Sequence, residues 1–131
     1  MDDTKYFFAM FGDPTPPLKD AVESGVYHPN PKFAPFAPEV GDILLAYCTE
    51  SYVGYPMKCP GIGVVLGKTD ERIIYRYLPL DHPVYKDDFV KSLTQDEQRK
   101  FKLRRFSTHW LFEISKSSFT KALAGVTIDW P

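Results

Sequence analysis

The chain has 131 residues, a length that suits one domain able to bury roughly two-thirds of its unfolded surface. Hydrophobic residues make up 44% and charged residues 25%, which excludes wholesale disorder. Lys and Arg number 16 and Asp and Glu 17, so a coating of bulk basic charge is excluded and only a local basic stripe is left open.

Aromatics reach 15% and there are 12 prolines, and both features shape the reading of the loops. The opening Met1-Asp2-Asp3-Thr4-Lys5 has neither the basic nor the apolar region of a secretory signal. A cytoplasmic location, with Cys48 and Cys59 as reduced thiols, is therefore expected. No apolar run approaches the ~18 residues of a membrane span, so no membrane partner is expected.

Residues 5–11 form a continuous apolar and aromatic run bounded by Gly12-Asp13-Pro14, which predicts a buried strand. Thr15-Pro16-Pro17 suits a helix start, and Leu18, Ala21 and Val22 share one face, so a short helix over residues 16–24 is predicted. Gly25 supplies its left-handed stop. Residues 26–42 carry Pro29, Pro31, Pro35 and Pro38, which forbid a helix or a central strand. Phe33 and Phe36 among them predict a loop packed onto the domain surface.

Residues 43–48 predict a second buried strand, followed by a loop over residues 49–60. Residues 61–67 predict a third strand, whose glycines signal a bulge or a close backbone approach. Residues 72–80 predict a fourth strand, with Arg72, Ile74, Arg76 and Leu78 on one face and Ile73, Tyr75 and Tyr77 on the other. A loop is expected over residues 81–91. Thr94 and Glu97 form a capping box for a helix to about Leu103. Residues 109–114 predict a fifth strand. Ser117 or Ser118 is expected to cap a last helix over residues 119–124, and residues 126–131 are expected to add an edge strand. The elements together predict one α+β domain over residues 1–131: a small, curved five- or six-stranded sheet or open barrel flanked by two or three short helices.

Enzyme signatures are scarce. There is no glycine-rich phosphate loop, no Gly-x-Ser-x-Gly and no His-Glu-x-x-His. Cys48 or Cys59 with His109 would make a nucleophile and a base only if the fold joined them, and Cys48 lies in an apolar run, where a buried thiol is inert. His28, His82 and His109 are isolated, so neither a metal nor a cofactor is expected. Arg99, Lys100, Lys102, Arg104 and Arg105 fall within seven residues and read either as phosphate contacts or as a solvated helix face. Tyr27, Phe33, Phe36, Tyr52 and Tyr55 fall in irregular segments, where aromatics cap a core or offer stacking faces to a planar ligand.

Four stretches resemble the EVE and YTH families of the PUA-like superfamily. They are the strand Lys5-Tyr6-Phe7-Phe8, the helix end Ser24-Gly25-Val26-Tyr27, the run Val40-Gly41-Asp42-Ile43-Leu44-Leu45-Ala46-Tyr47, and Pro60-Gly61-Ile62-Gly63-Val64-Val65. The run His109 to Ile114 resembles the closing strand of those families. The resemblance implies an open barrel that binds DNA or RNA and holds an extruded, in some members modified, base in an aromatic pocket. By position Tyr27 resembles the pocket aromatic and His28 its polar neighbour, with Tyr47, Tyr52, Tyr55 and Tyr77 as further expected pocket residues. Two departures stand out: Met10-Phe11-Gly12 replaces the usual polar residues, and no Trp occupies the later pocket loop.

Two classes of function follow. One is a non-catalytic nucleic-acid-binding module, working alone or beside an effector protein. The other is a binding domain of the same fold for a small planar ligand, or for a protein partner through the Pro- and Phe-rich residues 29–38.

Overall fold

The structure, a computed structural model, describes residues 3–12, 21–50, 52, 54–103 and 111–128. Strands β1 (Tyr6–Phe11), β2 (Val26–Tyr27), β3 (Ile43–Cys48), β4 (Lys58–Lys68), β5 (Ile73–Tyr85) and β6 (Leu111–Ile114) form one mixed sheet in the order β2-β5-β4-β3-β1-β6. It curls into a half-barrel with three short helices, so the fold is α+β as expected. The pair β1 and β3 is parallel, with Phe8 opposite Leu45, and every other pairing is antiparallel.

The sheet is buried on both faces, which explains why β1 and β3 read as continuous apolar runs rather than alternating ones. Successive side chains go to opposite faces. Phe8, Ile43, Leu45, Tyr47 and Ile62 join one core cluster, whereas Phe7, Ala9, Phe11, Leu44, Ala46 and Cys48 join a second. The expected split of β5 holds: Ile73, Tyr75 and Tyr77 pack on the second face and Leu78 on the first.

Helices cover the first face. They are α1 (Lys86–Val90), α2 (Gln95–Lys102) and α3 (Lys116–Ala122), which contribute the buried rings of Phe89, Phe101 and Phe119. Thr94 and Glu97 form the expected capping box on α2. Glu97 does more than cap its own helix. Its carboxylate accepts from the Thr94 N–H at 3.0 Å, the Ser118 hydroxyl at 2.5 Å and the Ser115 N–H at 2.7 Å, and so joins the starts of α2 and α3. A buried carboxylate is tolerated there because it receives several hydrogen bonds.

Loops cover the second face. Residues 28–42 contain a 3₁₀ turn at Pro31–Phe33 capped by Asn30, and they bury Phe36. The Lys68 ammonium fastens this segment by donating to the Phe36 carbonyl and to Glu39 at 2.6 Å. The packed loop expected from its prolines and phenylalanines is thus present. The Asp42 carboxylate accepts from the Lys5 and Glu39 N–H groups, which ties the loop's end to the start of β1.

Several boundaries differ from expectation. Residues 81–91 are not a loop: β5 runs on to Tyr85 and α1 follows. Pro83 is tolerated because β5 leaves register with β4 between Pro79 and Val84, so no ladder partner demands its missing N–H. The cap of α3 is Ser115, not Ser117 or Ser118, because its hydroxyl accepts the Ser118 N–H at 3.0 Å. Strand β4 begins at Lys58 rather than Gly61, paired with Tyr85 of the longer β5. Val26 and Tyr27 form a short strand on β5, and Ile128 makes only an isolated bridge to Leu80. Most of the helix expected over residues 16–24 lies outside the described residues. Its end, Val22–Ser24, is a 3₁₀ turn closed by Gly25 with φ at 80°. His109 and Trp110 also lie outside them.

Candidate functional site

The loop-covered face carries a cluster of tyrosines built around the Val22–Ser24 turn. Gly25 brings that turn hard against β5. The Tyr75 N–H donates to the Gly25 carbonyl at 2.9 Å, and a Cβ at Gly25 would stand 2.8 Å from the Tyr75 carbonyl oxygen. Only glycine combines this approach with a left-handed backbone. Two hydroxyls then clamp Val22 from either side: its N–H donates to the Tyr52 oxygen at 2.9 Å and its carbonyl accepts from Tyr75. The Tyr52 hydroxyl donates in turn to the Glu23 carboxylate at 3.4 Å.

Tyr52 belongs to the loop after β3. The Thr49 carbonyl accepts from the N–H groups of Tyr52 and Met57, which folds the loop back on itself and sets Tyr55 beside Tyr52. The two rings lie 6.2 Å apart with 31° between their planes. Tyr77 approaches from β5, seated over a glycine. A Cβ at Gly61 would stand 2.6 Å from the Tyr77 ring, and one at Gly63 would stand 2.5 Å from the Tyr75 ring. The glycines of β4 are therefore the seats of two tyrosines, the close approach anticipated from the sequence.

Tyr52 is buried, whereas Tyr55 and Tyr77 stay partly exposed. Burial, reinforced by the neighbouring Tyr55 and the Glu23 carboxylate, holds the Tyr77 hydroxyl well above its ordinary range. The Tyr52 hydroxyl is pushed up to about 12, chiefly by burial. Both are neutral donors at physiological pH. The result is a cluster of tyrosines in which Tyr55 and Tyr77 stay partly exposed and the Glu23 carboxylate lies beside the Tyr52 hydroxyl.

Of the expected pocket residues, the structure brings Tyr52, Tyr55 and Tyr77 together. Tyr27 packs in the same cluster but lies beneath the surface, 3% exposed, with its ring 4.6 Å from Phe11. Tyr47 lies across the sheet, fully buried in the helix-covered core beside Phe8, Phe89 and Phe101. His28 is exposed. Glu23 and Tyr75 were not among the expected site residues. No local signal marks Glu23, because its turn is pinned by hydroxyls from residues 52 and 75.

The described part of the basic run stands elsewhere. Arg99, Lys100 and Lys102 lie on α2, over the opposite sheet face. Asp96 pairs with both Arg99 and Lys100, at 3.4 Å and 3.5 Å, and Lys100 also sits over the Phe112 ring. Arg104 and Arg105 lie outside the described residues. Cys48 and Cys59 are free and buried. Burial pushes the Cys59 thiol up to about 12 and raises Cys48 as well, so neither offers a thiolate at neutral pH. A shallow depression of 210 Å³ lies at the far end of the sheet, between His82, Asp88 and Lys121.

Among the described residues, no three His, Cys, Asp or Glu side chains are placed to hold a metal. No helix among them is long and apolar enough to cross a membrane. Comparison with protein-family models, with curated proteins and with solved structures finds no match to this chain.

Proposed function

We propose that this chain is a non-catalytic binding module that receives a flat aromatic group, an extruded base of a nucleic acid, on the half-open faces of Tyr55 and Tyr77. The observation that carries this reading is the cluster itself. Tyr52, Tyr55 and Tyr77 pack in one cluster, and Tyr55 and Tyr77 stay partly exposed. Extruding a base costs a few kcal/mol, and stacking recovers about 1–3 kcal/mol per base–aromatic contact. The seat that Gly61 supplies to Tyr77 reduces the ordering cost of binding. The half-barrel is compatible with the PUA-like architecture implied by the sequence resemblance. The buried, protonated thiols favour recognition over covalent chemistry.

Titration of the full chain with short single-stranded DNA and RNA tests the reading. Tyr77→Ala is expected to weaken binding by about 1–3 kcal/mol. Unaltered affinity in that variant would remove the cluster from the binding surface.

One observation favours a second reading, a small planar ligand without a phosphate backbone. The described basic residues of α2 lie across the sheet from the tyrosines, and Asp96 already pairs with two of them. Salt separates the readings. Phosphate contacts give a steep loss of affinity as salt rises, whereas a neutral planar ligand shows almost none.

A further inference from the structure

We propose that the flat group received at Tyr55 and Tyr77 carries a positive charge, and that the Glu23 carboxylate selects it. This inference rests on the tyrosine cluster being a ligand seat, and it adds the class of ligand.

The position of Glu23 is set by its neighbours. Val22, the residue before it, is held at its N–H by Tyr52 and at its carbonyl by Tyr75. The closing Gly25 is held by the backbone of β5. The carboxylate is thereby kept beside the cluster, where it accepts from the Tyr52 hydroxyl. Glu23 is exposed, and no described cation lies within salt-bridge distance of it. Its charge is felt as far as the Tyr77 hydroxyl.

Such a site discriminates by charge. The face of a tyrosine ring is electron-rich, and two partly exposed rings near a carboxylate make a negative surround. A neutral base gains only stacking there. A base carrying a fixed positive charge gains stacking, cation–π attraction and the field of Glu23 together. An anion is repelled, which suits the placement of Arg99, Lys100 and Lys102 over the opposite face. A flat cation, such as a ring-N-methylated base, matches the flat group proposed for this seat.

The test is calorimetric titration of the full chain with three nucleosides: N1-methyladenosine, which is cationic at neutral pH, adenosine, and N6-methyladenosine, which has the same added methyl without the charge. The expected result is roughly tenfold tighter binding of the cation than of either neutral nucleoside. Glu23→Gln, with an unchanged melting temperature, is expected to bring that ratio close to one. Equal binding of all three nucleosides overturns the charge inference and leaves the seat standing. A preference that survives Glu23→Gln overturns the role of Glu23. Tighter binding of a trimethyllysine peptide than of N1-methyladenosine overturns the planar class. Binding of none of these probes overturns both the inference and the seat it rests on.

Discussion

On the helix-covered face of the sheet, rings meet rings. Phe8 lies 4.8 Å from Phe112, 5.5 Å from Phe101 and 5.7 Å from Tyr47, and the Glu97 carboxylate beside this core is spent on helix starts. On the loop-covered face, tyrosine hydroxyls meet backbone and carboxylate. Tyr52 and Tyr75 clamp Val22, Tyr52 reaches Glu23, and Tyr55 and Tyr77 remain partly open. Both faces are rich in aromatics, yet one is closed and apolar while the other keeps polar edges and partly exposed tyrosines. The difference comes from the cover. Helices satisfy their own backbone and pack apolar stripes, whereas short turns leave backbone groups that side-chain hydroxyls must satisfy.

The sharpest way to break this comparison is on the closed face. Phe8→Ala removes a fully buried ring from the centre of the aromatic cluster and is expected to cost about 3–5 kcal/mol, read by chemical denaturation. Tyr27→Ala tests the boundary between packing and binding. Its ring is buried against Phe11, so a loss of about 3 kcal/mol of stability is expected, with ligand affinity nearly unchanged in the fraction that remains folded. A stable variant with weakened affinity would move Tyr27 into the seat.

Gly61→Ala acts on the open face. The added methyl meets both the Tyr77 ring and the Leu78 carbonyl, so a cost of about 1–3 kcal/mol is expected together with loss of affinity, because the seat of Tyr77 is displaced. Affinity that survives would show that Tyr77 is not the receiving ring.

Alkali is expected to act on both faces, and more gently. The Cys59 thiol rises from 9.0 to about 12 in the folded chain and the Tyr52 hydroxyl from 10.0 to about 12, both through burial. Between the unfolded and folded values the folded state binds more protons than the unfolded state, so stability falls as pH rises. The contribution is complete below pH 9.0 and is lost progressively towards pH 12. Denaturation midpoints measured across that window check it. A midpoint that does not fall would contradict the burial of these groups. Tyr52→Phe removes only the Tyr52 part of the fall and leaves the parts due to Cys59, Cys48 and Tyr77.

Much of this architecture was legible in the chain. The continuous runs of β1 and β3 announced strands covered on both sides, Thr94 and Glu97 announced α2, and the glycines of β4 announced the close approach that Tyr75 and Tyr77 make. What was not legible is which face each tyrosine serves. Tyr47 and Tyr52 are five positions apart and similar in local character, but the strand parity of one and the loop fold of the other send them to opposite sides of the sheet. Parity depends on register, and register depends on pairings between distant segments. The same limit hid the separation of α2 from the tyrosines and the extension of β5 through Pro83. Glu23 was invisible for a different reason. Its position is set by hydroxyls arriving from residues 52 and 75, and nothing local to the turn records them.

The central claim is that ligand is received on the loop-covered face, at the open tyrosines. It is tested most directly by NMR of the full chain with isotope-labelled tyrosine rings, titrated with a short single-stranded oligonucleotide. The ring resonances of Tyr52, Tyr55 and Tyr77 are expected to shift together and saturably, while those of Tyr47 stay in place. Saturable binding that leaves these three rings unmoved, or that moves Tyr47 instead, would contradict the account.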